Sequence, residues 1–332
     1  MSFSQEVKDE LSRQFSTARH CRLAELAAML SYGGQIKRTG SHNYLRFQTE
    51  SIAVARKYFT LIKKTFNINM DLSIRATSHA GGNHIYTLMI RDTESIKRVL
   101  QAAKLSVCKP EDKKSNKLME LVKPDQLVVQ NACCKRAFIR GAFLVSGSMS
   151  NPKKAYHLEI VIPDQSKAEQ LQKIIQTFSI DAKIVTRKKS FVVYIKEGSQ
   201  IVDLLNVMEA HVALMDLENV RILKEVRNQV NRQVNCEAAN ISKTVAASAK
   251  QIEDIVYIRD TIGFSELAEG LEEIARLRIQ HPEASLKELG TMLTPSIGKS
   301  GVNHRLRKLS MIADHIREHK EENSHDNKTN SN

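Results

Sequence analysis

The chain has 332 residues, enough for about two domains with buried cores. Its hydrophobic content of 42% is ordinary for a globular protein, and no uninterrupted apolar stretch approaches the roughly 20 residues of a membrane-spanning helix. With 50 Lys and Arg against 37 Asp and Glu the formal net charge is +13, an excess that attracts polyanions, nucleic acid foremost.

Residues 1–13 alternate charged and apolar side chains and lack the apolar centre of a secretory signal, so a cytoplasmic protein is expected. The five cysteines, Cys21, Cys108, Cys133, Cys134 and Cys236, are odd in number and form no CxxC pair. Neither a disulfide framework nor a zinc finger is expected, and no metal or cofactor; the cysteines read as small buried hydrophobes.

The first two-thirds contain an internal repeat. Residues 26–34 form an apolar, small-residue-rich helix ending in glycine, and residues 139–147 have the same character 113 positions on. Two extended stretches follow each helix, 35–38 and 43–49 in the first copy, 148–149 and 156–162 in the second. Leu45 and Phe47 align with Leu158 and Ile160 at the same offset, and both pairs alternate as a half-buried strand does. A helix comes next (51–66 and 165–178), then a hairpin (70–77 with 83–91, and 181–187 with 190–196). A closing helix ends each copy (93–104 and 199–208). His79 to Gly82 is the expected loop of the first hairpin, Arg187-Lys188-Lys189 that of the second. Each half reads α-β-β-α-β-β-α, an α+β unit with antiparallel pairing. Small residues on the two leading helices predict close packing at a pseudo-two-fold axis.

From about Asp216 the pattern is helical only. Residues 217–240 form a long polar helix on which Asn228, Arg232 and Asn235 share one face, flanked by Asn231 and Gln233. That face reads either as a solvated connector or as a second contact to nucleic acid, since amides and guanidinium groups suit phosphates and base edges. Helices over 245–259 and 264–280 carry core stripes. Ser285 and Glu288 form a capping-box pattern ahead of a short helix over 286–293, and Pro295 and Gly298 lie in the turn after it. Ser300 is placed to cap a last helix through about 312, with Val302, Leu306 and Leu309 facing inward. Asn303 and Arg307 lie on another face beside His304 and Arg305, with Lys299 and Lys308 at its edges. Two short helices and a turn, the second rich in Asn, His and Arg, suit reading of the DNA major groove. This module is expected to carry most of the affinity. Residues 317–332 have no apolar anchor after Ile316 and are expected to be disordered.

The repeat resembles the LAGLIDADG homing-endonuclease fold, in which two such helices form the axis and the sheets make a saddle over DNA. In that family an acid near the end of each motif helix binds divalent metal. Those positions fall here on Gly33 and Ser146, and the earlier acid positions on Ser31 and Leu144, so the carboxylates that hold hard cations are missing. The whole chain is more similar to the WhiA family. The segments that carry this are Arg140-Gly141-Ala142-Phe143-Leu144, Tyr156-His157-Leu158-Glu159, the run from Asn231 to Asn240, and the run from Lys299 to Arg307. That resemblance implies a degenerate LAGLIDADG-like domain over 1–210, with repeats at about 15–110 and 126–210. It further implies a connector over 211–245, a helix-turn-helix domain over 246–316 and the tail over 317–332. It implies a non-enzymatic, nucleoid-associated regulator of transcription, in sporulation or in cell division and chromosome segregation. Its partner would be double-stranded DNA, with further proteins of transcription or cell division, and no membrane.

Competing readings are an active endonuclease that recruits other acids, and a general chromosome-associated protein whose N-terminal domain docks proteins. DNA binding by the repeat domain requires Lys37, Arg38, Arg46, Lys153, Lys154, Arg187, Lys188 and Lys189 to converge on the concave sheet. His157 and Glu159 read as a hydrogen-bonded strand pair. His42, His79 and His84 have no ligand spacing, Gly81-Gly82 reads as hairpin chemistry, and no phosphate loop or nucleophilic triad is seen.

Overall fold

The computed structural model describes residues 2–39, 42–76, 84–107 and 118–329, which fall into two compact units, 1–225 and 226–332. In the first unit α1 (Phe3–Arg13) leads, capped by Ser2 and burying Val7 and Leu11; the sequence reading did not anticipate it. The first repeat is then α2 (Arg19–Gly33), β1 (Gly34–Thr39), β2 (His42–Thr49), α3 (Ile52–Phe66), β3 (Asp71–Ala76), β4 (His84–Ile90) and α4 (Thr93–Ala102). A short strand, β5 (Leu118–Glu120), joins the outer side of β1, again unanticipated. The second repeat is α5 (Ala132–Ser146), β6 (Gly147–Met149), β7 (Leu158–Ile162), α6 (Gln165–Gln176), β8 (Lys183–Arg187), β9 (Ser190–Ile195) and α7 (Gly198–Met208). The loop expected at 79–82, and Cys108, lie outside the described residues.

The repeat extends to strand register. The sheets run β3-β4-β2-β1-β5 and β6-β7-β9-β8, so the four strands of each copy follow one order. Gly34 pairs with Phe47 and Ile36 with Leu45 in the first; Gly147 pairs with Ile160 and Met149 with Leu158 in the second, each 113 residues on. Leu45, Phe47, Leu158 and Ile160 are buried against α2 and α5, which makes the register unambiguous, because a one-residue slip would turn them to solvent. Besides α1, the repeat helices α3, α4 and α6 start on side-chain caps, Ser51, Asp92 and Asp164 respectively.

One helix, α8 (His211–Thr261), contributes to both units. The sequence reading divides it between residues 240 and 245; the structure does not, since Thr244 bonds back to the Asn240 carbonyl and no Gly or Pro interrupts the ladder. Ala213 and Leu217 bury in the first unit, Ile255 and Ile258 in the second. Residues 226–247 are exposed all round, with Val226, Val230, Val234, Ile241 and Val245 along one side.

The second unit packs Ile255 and Ile258 against α9 (Glu269–Gln280), α10 (Leu286–Met292) and α11 (Lys299–Thr329). The stretch expected to begin a helix at Phe264 forms a 3-10 turn, Phe264–Glu266, before α9. The tail is a second correction: α11 continues through the span expected to be disordered, as far as Thr329, and residues 330–332 lie outside the described residues. Its anchor is polar, which a search for apolar anchors overlooks. Arg317 pairs with the buried Asp254 at 2.8 Å and with Asp314 at 2.9 Å, and stacks over Tyr257.

Candidate nucleic-acid interface

The capping box forms: the Ser285 hydroxyl accepts from the Glu288 N–H, and the Glu288 carboxylate accepts from the Ser285 N–H at 2.8 Å. Hydrogen bonding from Ser285, its backbone N–H first, holds the Glu288 carboxyl below its ordinary range. The turn closes where the Ile297 N–H donates to the Gly290 carbonyl, and the Thr294 N–H donates to Glu273. Ser300 is not the cap of α11. The helix begins at Lys299, with the Val302 N–H donating to Gly298, which puts Ser300 inside the first turn.

Val302, Leu306, Leu309 and Ala313 are buried on one side of α11. Ser300, His304, Arg307 and Lys308 are exposed and Asn303 is half-buried, on the side turned away from them; Lys299 is exposed at the first turn. Arg305 departs from this group. Its guanidinium donates to the Gly270 carbonyl at 3.2 Å, so it ties α11 to the start of α9 and is half-buried. Met311, 71% exposed, stands one turn beyond Arg307 on the outward side, a candidate that a search for polar groups passed over.

Asn228, Arg232 and Asn235 share an exposed face of α8, opposite the valine stripe. In the first unit, Lys37 and Arg46 alternate with buried Ile36, Leu45 and Phe47, so they share with Arg75 the sheet face away from the core. Partial burial, and then the charge of Arg75, hold the Arg46 guanidinium below its ordinary value. Arg187 lies at the end of β8, 4.0 Å from Glu159, which also takes a 3.2 Å contact from His157. Lys153, Lys154, Lys188 and Lys189 sit exposed on turns rather than on the strand face, and the Arg38 side chain lies outside the described residues. The sequence divides its charge unevenly between the units. Residues 1–225 hold 35 Lys and Arg against 22 Asp and Glu, and residues 226–332 hold 15 against 15.

At the positions where the resemblance puts the motif acids, a Cβ on Gly33 would lie 2.8 Å from Val145 and 2.9 Å from Phe47. The Ser146 hydroxyl donates to the Ala142 carbonyl. The Gly33 place is therefore filled by packing as well as lacking an acid.

The reading of the cysteines as buried hydrophobes holds for Cys21 and Cys134, whereas Cys133 and Cys236 are exposed. The structure also gathers His20, Cys21, Cys133 and Cys134, a grouping the sequence reading missed. The signal was present, because the repeat offset of 113 carries 20–21 onto 133–134.

Three family models match the chain: the WhiA N-terminal LAGLIDADG-like domain over residues 19–106, the WhiA LAGLIDADG-like domain over 135–227, and the WhiA C-terminal HTH domain over 230–313. A protein of Lachnoclostridium phytofermentans named probable cell division protein WhiA is 60% identical over 319 residues, covering 96% of this chain and all of the relative. One of the same name from Alkaliphilus oremlandii is 47% identical over 322 residues, covering 96% and 99%. The crystal structure of full-length WhiA from Thermatoga maritima matches with a TM-score of 0.57 at 25% identity, over 95% of this chain and 99% of that one.

Proposed function

The chain belongs to the WhiA family, and from that premise we propose that it is a DNA-binding regulator that recognises specific sequences and does not cut DNA. The observation that carries this reading is the outward side of α11. Asn303, His304, Arg307 and Lys308 stand opposite buried Val302, Leu306 and Leu309, within the span matched by the HTH model. A helix held by its apolar side and presenting Asn and Arg outward can offer bidentate contacts to adenine and guanine edges. Lys299, Ser300 and Lys308 flank it and serve the phosphates. Arg305 supports the helix rather than reading bases.

The name shared by the relatives, probable cell division protein, supports a role in cell division; action through transcription, and a part in chromosome segregation or sporulation, are added by this proposal. Association with the nucleoid follows from DNA as the partner. The proposed division of labour keeps 1–210 as the degenerate LAGLIDADG-like domain, 211–245 as connector and 246–316 as the reading domain. The charge partition favours a specific role for the first domain. It supplies the sequence-independent attraction to phosphate, which revises the expectation that the helical module dominates affinity. Asn228, Arg232 and Asn235 form a second contact in this scheme. Absence of nuclease activity rests on Gly33 and Ser146, where neither a carboxylate nor, at Gly33, space for one is found.

Genome-wide mapping of bound sites for the wild-type chain and Arg307→Ala tests the reading. Discrete sites that disappear in the variant are expected; uniform coverage by both proteins would contradict sequence-specific regulation.

A further inference from the structure

The two axial helices begin with potential metal ligands at matching places. His20 and Cys21 are the second and third residues of α2, and Cys133 and Cys134 are the second and third of α5. Packing of α2 against α5 brings the pairs together. His20 Nδ1 lies 3.1 Å from Cys134 Sγ, 3.3 Å from Cys21 Sγ and 4.0 Å from Cys133 Sγ. All four donor atoms lie within 4.8 Å of one another. A tetrahedral zinc ion, with bonds of about 2.3 Å to sulfur and 2.0–2.1 Å to nitrogen, sets its donors roughly 3.5–3.8 Å apart. The four side chains are therefore already spaced much as a shared ion would space them.

We propose that His20, Cys21, Cys133 and Cys134 bind one zinc ion as a closed Cys3His site joining the two repeats. Three sulfurs and an imidazole in a four-donor set suit a borderline-soft ion without geometric preference and exclude hard ions such as magnesium. Cys21 and Cys134 are buried and shield the ion, while exposed His20 and Cys133 leave a path for its entry. Each thiol passes its proton to solvent as its sulfur takes the metal, and no electron moves, so no oxidant is required. All four positions are filled by protein, which makes the ion structural rather than catalytic. Its binding energy holds α2 to α5 and adds to the stability of the folded pair.

The test uses the full chain, produced without a histidine tag and kept anaerobic and reduced, with zinc alone as the probe and metal counted by elemental mass spectrometry. One zinc per chain is expected. Cobalt(II) in its place should give the sulfur-to-metal charge-transfer and intense visible bands of a tetrahedral thiolate site. Cys133→Ser and His20→Ala alter exposed side chains, so near-ultraviolet circular dichroism should remain native. Each should weaken zinc binding by more than the roughly 10–100-fold that loss of an outer partner costs. Cys236→Ser, far along α8, should leave it unchanged. A folded wild-type chain that takes up no zinc, or zinc uptake equal in all three variants, overturns the proposal. So does a disulfide among Cys21, Cys133 and Cys134 in the fresh chain whose reduction fails to restore zinc uptake.

Discussion

Gly141 and Ala28 stand at the same point of the two repeats, and they meet where α2 crosses α5. A Cβ on Gly141 would lie 3.0 Å from the Ala28 Cβ and 2.5 Å from the Glu25 carbonyl oxygen. Beside this crossing, buried Glu25 accepts from Lys57 at 3.0 Å and from Arg140 at 3.1 Å, and Arg140 reaches on to Glu209 at 2.8 Å. The axis thus combines a close backbone approach with a buried ionic cluster.

Gly141→Val should destabilise the chain by about 1–3 kcal/mol, towards the upper end because one of the obstructing groups is backbone. Ala28→Gly opens space instead and should cost about 1 kcal/mol of helix propensity. Urea unfolding of the two variants checks the order; equal destabilisation would place the close approach elsewhere along the helices.

Much of the first unit was legible because its two copies check one another. The offset of 113 aligned Leu45 with Leu158 and Phe47 with Ile160, and the register follows that alignment. What the sequence hid was held by polar contacts or by distant partners. Helix α11 is anchored just past Ile316, where Arg317 finds Asp254, more than sixty residues earlier. Arg305 has the chemistry of a base reader, but its guanidinium is taken by a partner that periodicity does not reveal, the Gly270 carbonyl. Strand β5 has only three residues and pairs with β1 across a long separation, too little for any periodicity to register.

The Glu288 cap gives a pH dependence. Its carboxyl is held below the ordinary glutamate value, about 4.3, by the Ser285 N–H. The unfolded chain therefore binds more protons in this range, and the capping contribution is full above the ordinary value and disappears as pH falls through the lower folded one. In Glu288→Gln that part of the acid destabilisation should vanish. Unfolding followed across the acid range for both proteins checks it; parallel curves would show that the carboxylate contributes nothing to α10.

Incubated with supercoiled plasmid and magnesium or manganese, the wild-type chain should leave the plasmid intact. Gly33→Asp should not gain activity, since its Cβ would press on Val145 and Phe47, and should be destabilised by about 1–3 kcal/mol through overpacking. Metal-dependent nicking that persists through repurification would return the endonuclease reading.

The charge partition predicts where salt sensitivity resides. Replacing Lys153, Lys154, Lys188 and Lys189 with Ala in the full chain should weaken binding to scrambled duplex. The salt slope should become shallower by about 0.9 for each phosphate that is no longer neutralised. The ratio of target to scrambled affinity should hold. A fall in that ratio would mean that these turns read sequence.

On α11, the proposed reading of DNA assigns bases to Arg307 and phosphate to Lys308. Titrating Arg307→Ala and Lys308→Ala against target and scrambled duplexes at one salt concentration measures this directly. Arg307→Ala should reduce discrimination by about 1–3 kcal/mol, the worth of a bidentate arginine–guanine contact. Lys308→Ala should weaken both duplexes alike and keep their ratio. Equal loss of specificity in the two variants, or loss only in Lys308→Ala, would show that a different side of the helix faces the groove.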